Sequence, residues 1–262
     1  MSNYDKFDNY DRGYSRTPQT SYDDIPSYGY DNTEAVNTSG ISFAGVMTRV
    51  YTWMFAALVI TAGTAWLTAH MPGLLNLIYS NQAVVWVLFG AELALVIGIS
   101  WGINRLSPSM ALMLFLVYSV VNGLTLASIF FAYSIGTIYQ AFAASALTFG
   151  AMSVLGHTIK KDLSGLGGIM MMALIGLIIA SVVNIFWSNS VLDAIVTYIG
   201  VFLFVGITAY DTQRIKAACI AAEQYGDAAA PKRVAISGAL SLYLDFINLF
   251  LYLLRLFGRG RD

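Results

Sequence analysis

Charge is what this sequence has least of. Lysine, arginine, aspartate and glutamate make up 11% of its 262 residues, where soluble domains carry about 25%. A soluble globule of this length could not cover its surface with so few charged side chains. That excludes a cytosolic enzyme and a nucleic-acid binder. The single cysteine, Cys219, excludes an internal disulfide, a disulfide-stapled secreted domain and a cysteine-based metal site. Histidine is nearly absent too: only His70 and His157 occur. No phosphate-binding loop, metal-protease helix or serine-elbow motif is present, so the chain reads as a non-enzyme. The net charge of −1 points to no partner.

The scarce charge is also uneven. Asp5, Asp8, Asp11, Asp23, Asp24, Asp31 and Glu34 place seven of the fifteen acidic residues near the start. Residues 1–45 read as a disordered cytoplasmic tail, with Tyr4, Tyr10, Tyr14, Tyr22, Tyr28 and Tyr30 among Asp, Ser, Asn and Gly. It lacks the basic start and apolar stretch of a signal peptide. It serves either as a solvated leader or as a docking or phase-separating segment. Residues 46–258 form a transmembrane domain, and 259–262 a short C-terminal tail.

What remains is an all-α polytopic membrane protein. Crossing ~30 Å of hydrocarbon takes ~20 mostly apolar residues. Seven stretches qualify: about 50–70, 82–103, 109–132, 137–157, 166–187, 192–213 and 235–257. Most links between them carry breakers: Pro72-Gly73, Pro108, Ser164-Gly165, Ser188-Asn189, and Gly226 with Pro231. Basic residues fall on alternate sides. The tail, second, fourth and sixth links hold all the loop lysines and arginines, among them Arg49, Arg105, Lys160, Lys161, Arg214 and Lys216. The first, third and fifth links hold none. The N-terminus therefore faces the cytoplasm. Seven crossings put the C-terminus outside, although Arg255, Arg259 and Arg261 lie there. Either the last segment crosses, which its length favours, or it re-enters.

Three acids sit inside apolar segments: Glu92, Asp211 and Asp245. A carboxylate in hydrocarbon costs about 2.5–3.5 kcal/mol on insertion scales. It persists only if neutralised, paired or turned to water inside the bundle. The sixth and seventh segments run antiparallel, so Asp211 and Asp245 meet in the cytoplasmic half. Together they cannot both ionise cheaply, and they titrate as a unit with two macroscopic values. Once deprotonated, such a pair repels itself and offers oxygen ligands to a hard cation such as Ca²⁺. Asn122, Asn184 and Asn248 read as inter-helix hydrogen-bonding residues. His157 reads as an interfacial cap, and Met170, Met171 and Met172 as lipid-facing or packing surface.

The runs LYLDFINLFLYLLRLFG (242–258), ITAYDTQRI (207–215), TFGAMSVLGHTIKKDLSGLGG (148–168) and NGLTLASIF (122–130) resemble the Bax inhibitor-1 family, also called transmembrane Bax inhibitor motif proteins. The resemblance covers about residues 45–258 and is strongest to bacterial inner-membrane members. It implies seven transmembrane helices with the last one central, and a pH-sensitive calcium leak gated by an acidic pair. By motif that pair is Asp211 and Asp245, which are also the residues that would meet Ca²⁺. Glu92 matches an acid of the family's second helix, and Arg255 matches in LLRLFG. The family's latch arginine falls on Ile103, with Arg105 two residues later. Eukaryotic relatives suppress cell death, and bacterial ones are linked to a membrane protease as binding partners.

Three functions compete on this evidence. The first is a proton-gated cation leak with Glu92 on the path. The second is a non-transporting regulator that binds a membrane protease or stress partners. The third is an intramembrane aspartyl protease, which the absence of Gly-x-Gly-Asp and Pro-Ala-Leu motifs argues against.

Overall fold

The computed structural model describes residues 43–159, 161, 163–224 and 229–259. The tyrosine-rich tail up to residue 42, Lys160, Asp162, Gly226 and Arg261 lie outside the described residues, and with them most of what was read as the tail. The described residues form helices α1 (Phe43–His70), α2 (Pro72–Tyr79), α3 (Gln82–Gly102), α4 (Pro108–Leu126), α5 (Ile129–Ala132), α6 (Ile135–Thr158), α7 (Gly167–Trp187), α8 (Ser190–Gln224) and α9 (Ala230–Gly258). A 3₁₀ turn, Ser164–Leu166, leads into α7. Seven of the stretches are long and apolar enough to cross a membrane: α1, α3, α4 with α5, α6, α7 with its leading turn, α8 and α9. No strand occurs among the described residues.

Local chemistry sets the ends. Pro72 and Pro108 open α2 and α4, where a missing N–H costs nothing. Ser107, Ser134 and Asn81 cap α4, α6 and α3 by accepting backbone N–H bonds from Met110, Thr137 and Ala83. Ser188 ends α7 in the left-handed region at φ 47°. Asn189 then accepts from the N–H groups of Val191 and Leu192 to start α8. The breakers in the links thus act as caps.

Three boundaries differ from the sequence reading. The first helix opens at Phe43, about two turns earlier than residue 50. The first link holds the eight-residue α2. The sixth helix runs to Gln224 rather than 213, a length of 35 residues or about 52 Å. Its last turns contain Arg214 and Lys216. Helical alanines and glutamines carry it on past the point where hydropathy falls.

The bundle is built around α9. Two-thirds (67%) of its most apolar window is buried, against 6% for α3 and for α7. α9 packs on α1, α4, α6 and α8, while α3 packs on α4 and α7 on α8. The outer helices turn Trp86, Val87, Leu93, Ile169, Met172 and Ile185 outward. Such a surface suits hydrocarbon and not water, because lipid tails solvate apolar side chains while the backbone satisfies itself within each helix. Met171 and Met172 belong to this outer surface, whereas Met170 turns inward. At one crossing the backbones nearly touch: a Cβ at Gly156 on α6 would collide with the Ala209 carbonyl on α8. Only glycine permits that approach.

α9 is one unbroken helix of 29 residues, about 43 Å long. It spans the bundle instead of turning back. At its far end Arg255 and Arg259 pair with Asp193 at the start of α8, at 3.8 and 2.6 Å. Arg259 also donates to the Ser190 carbonyl at 2.8 Å. These partners account for two of the three C-terminal arginines that conflicted with the charge bias.

Candidate functional site

The lengths of α8 and α9 bring their acids level. Asp211 lies 13 residues before the end of α8, and Asp245 lies 15 residues into α9. At 1.5 Å per residue these are about 20 and 22 Å from the linked ends of two antiparallel helices. Glu92 is ten residues from either end of α3, also at mid-depth. All three line one cavity of about 590 Å³ enclosed by α3, α4, α7, α8 and α9.

The acids differ in their surroundings. Asp245 is 4% exposed, and its Oδ2 has no hydrogen-bond partner. Asp211 is half-buried. Ser241 on α9 and the Arg214 guanidinium, one turn further along α8, are its polar neighbours. Ser241 and Asp245 are four residues apart on α9, so Asp211 faces the same stretch of α9 that carries Asp245. The two interact electrostatically. A hydrogen bond passing directly between them is not made by Asp245 Oδ2. The pair meets through the cavity. Asn122 and Thr125 on α4 are the polar neighbours of Glu92, and its Oε1 is buried without a hydrogen-bond partner.

Around the acids the wall is mostly apolar. Met170 and Leu174 on α7, Val96 on α3, and Phe204 and Ile207 on α8 supply it. Tyr118 and Tyr252 add phenol rings, and Asn248 adds an amide that bonds back to its own helix at Leu244. Asn248 is therefore not the inter-helix bridge expected of it. Asn122 and Asn184 do bridge helices, to Tyr243 and Asp193. The His157 carbonyl accepts from Lys216 Nζ at 2.9 Å, which ties the end of α6 to α8.

The expected arginines are elsewhere. Arg105 is exposed in the turn after α3 and does not line the cavity. Arg255 stacks over the Tyr252 ring at 5.7 Å and faces Asp193. The basic residue at the cavity is Arg214. Its three-residue spacing from Asp211 was visible in the sequence, since i,i+3 residues share a helix face. Ser241 and Tyr243 were also passed over, because in SLYLD they read as part of an apolar run.

Can this cavity hold a resident metal ion? Ca²⁺ takes six to eight oxygen ligands. Among the described residues no three His, Cys, Asp or Glu side chains come close enough to hold one. Asp211 and Asp245 alone do not make such a cage. What the arrangement does offer is three carboxyl groups, two buried oxygens without a partner, and room for water at the middle of an apolar bundle.

The family described as Inhibitor of apoptosis-promoting Bax1 matches residues 44–262. The chain is 47% identical over 217 residues to Inner membrane protein YbhL of Escherichia coli K12, covering 82% of this chain and 92% of the relative. An uncharacterized protein of Deinococcus radiodurans is 46% identical over 216 residues, covering 82% and 90%. One of Borreliella burgdorferi is 39% identical over 216 residues, covering 82% and 92%. The seven apolar helices, the central last helix and these matches have one conclusion: the chain is a membrane protein and belongs to the Bax inhibitor-1 family.

Proposed function

We propose that this protein is a pH-sensitive cation leak, with Ca²⁺ the favoured ion, gated by Asp211 and Asp245 and with Glu92 on the path. One observation carries the reading: three carboxylates from three helices share one cavity in the apolar interior, and two of their buried oxygens have no partner. Each such group weakens the fold by a few kcal/mol. Three together make sense as a site for a passing cation. Ca²⁺ is here the cargo and not a resident cofactor.

The sign of the pH effect follows from the charges that face the pair. Arg214 and Tyr210 come from α8, Glu92 from α3, Tyr118 from α4 and Tyr252 from α9; α7 contributes no ionisable group. With one proton on the pair, a single pair charge stands opposite Arg214. Loss of that proton as pH rises leaves two carboxylates on one cavity, and they repel. The cavity then widens and attracts cations. Lowering the pH restores the proton and closes it. The basic links support an N-terminus in the cytoplasm, and the inner-membrane relative supports the same membrane for this chain.

The test uses the purified full-length chain in liposomes, with Ca²⁺, Na⁺, K⁺ and H⁺ fluxes compared side by side across pH. Ca²⁺ flux is expected to climb with pH by up to about tenfold per unit, the limit for release of one proton. Flux equal to that of protein-free liposomes at every pH would overturn the reading. It would favour a regulator that captures a membrane protease or another partner.

A further inference from the structure

A second cavity lies on the other side of α9. It has a volume of about 380 Å³ and is lined mainly by α1, α6 and α9, with Leu58, Ala65, Phe142, Phe246 and Phe250 in its wall. His70 closes α1 at its mouth, beside the exposed Trp66 and Tyr139. Phe250 places this mouth towards the C-terminal end of α9. The acid cavity instead reaches Arg214, on the side of the α8–α9 link. The two cavities flank different faces of α9, overlap in depth between Phe246 and Phe250, and have no lining residue in common.

One side chain touches the walls of both cavities. Tyr243 is fully buried and lines neither cavity. Its ring stands edge-on to Phe115 and Tyr118, at 5.6 and 5.7 Å between centroids. Tyr118 lines the acid cavity. The Tyr243 hydroxyl donates to Asn122 Oδ1 at 3.0 Å and lies 2.6 Å from Thr61 Oγ1. Asn122 neighbours Glu92 of the acid cavity, and Thr61 lines the apolar one. Thr61 also donates to the Ser119 carbonyl at 2.9 Å. Three contacts therefore share two hydroxyl protons, so one proton serves two acceptors. The seat holds the ring in place through both hydroxyls.

We propose that Tyr243 is the shutter between two halves of one transmembrane route, seated on Thr61 and Asn122, and that its withdrawal joins the acid cavity to the apolar one. The inference rests on the leak reading for its purpose, but its geometry is separate from the acid pair.

The test reads connection between the cavities without relying on ion flux. Ala65 is 3% exposed and lines the apolar cavity. Native Cys219 is fully buried, so the chain without an added cysteine is the blank. Ala65→Cys is placed in full-length protein in vesicles of each orientation, and a cationic, membrane-impermeant thiosulfonate is added outside. With Tyr243 present, labelling is expected from the His70 face only. With Tyr243→Ala it is expected from both faces, and at least tenfold faster from the Arg214 face than before. Tyr243→Phe keeps the ring and the packing but loses the hydroxyl contacts, and a roughly threefold gain is expected there. Thr61→Val should match it. Labelling from one face alone in Tyr243→Ala and Tyr243→Phe would overturn the shutter, whether or not the wild type conducts. Two-faced labelling alongside a wild type that never conducts would uphold the shutter and remove the leak reading.

Discussion

Asp245→Asn is expected to flatten the pH profile of the leak and to hold flux at or below about a tenth of the wild-type value at high pH. Asparagine has nearly the shape of the acid but is neutral at every pH. The cavity then never gains its second negative pair charge, so the repulsion that opens it is never generated. A passing cation also loses the most deeply buried of its oxygen ligands, on a residue only 4% exposed. Asp211→Asn should flatten the profile in the same way with a smaller fall in maximal flux, because Asp211 is half-buried and already opposed by Arg214. Flux measured against pH in liposomes decides this. A wild-type profile in both variants would place the gate elsewhere.

The second large effect runs in the opposite direction. Asp245→Leu is expected to stabilise the protein by about 1–3 kcal/mol while abolishing flux, since it removes a buried carboxylate whose insertion alone costs about 2.5–3.5 kcal/mol. Asp245 Oδ2 has no partner to lose, and the adjoining cavity leaves room for the larger side chain. Each kcal/mol should appear as a rise of about 2–4 °C in Tm for a chain of this size. Thermal unfolding in detergent, read by circular dichroism, measures it. A destabilised Asp245→Leu would mean that the carboxylate holds the bundle together, and the argument from unfavourable burial would fail. A stable but inactive variant is the signature of a group kept for function.

How much of this was legible in the sequence varied with the scale of the interaction. Span number follows from the length of apolar runs, which the bilayer thickness dictates. Pro72, Pro108 and the Ser188-Asn189 pair marked helix ends because capping is local chemistry. The end of α8 was missed because hydropathy falls at Arg214 while helix propensity does not. That same overrun explains why Asp211 and Asp245 end up level, a fact that needs both helix lengths. The acids themselves stood out, since a charge in an apolar run is rare. Arg105 and Arg255 were expected near them, yet one lies in an exposed turn and the other faces Asp193. Which way a terminal arginine turns depends on the neighbour at the next helix end, and sequence order alone does not supply it. Tyr243 was invisible for a related reason: within SLYLDF it is one more apolar-looking position, and its role arises from Thr61 and Asn122 on two distant helices.

The central claim is that Asp211 and Asp245 jointly hold one proton that leaves as the route opens. Infrared difference spectroscopy of the reconstituted protein observes that proton through the C=O stretch of a protonated carboxyl. The account predicts a band that disappears with rising pH in step with the onset of flux, and that changes in both Asp211→Asn and Asp245→Asn. A band that persists unchanged through the pH range in which flux sets in, or that is indifferent to both substitutions, would contradict it.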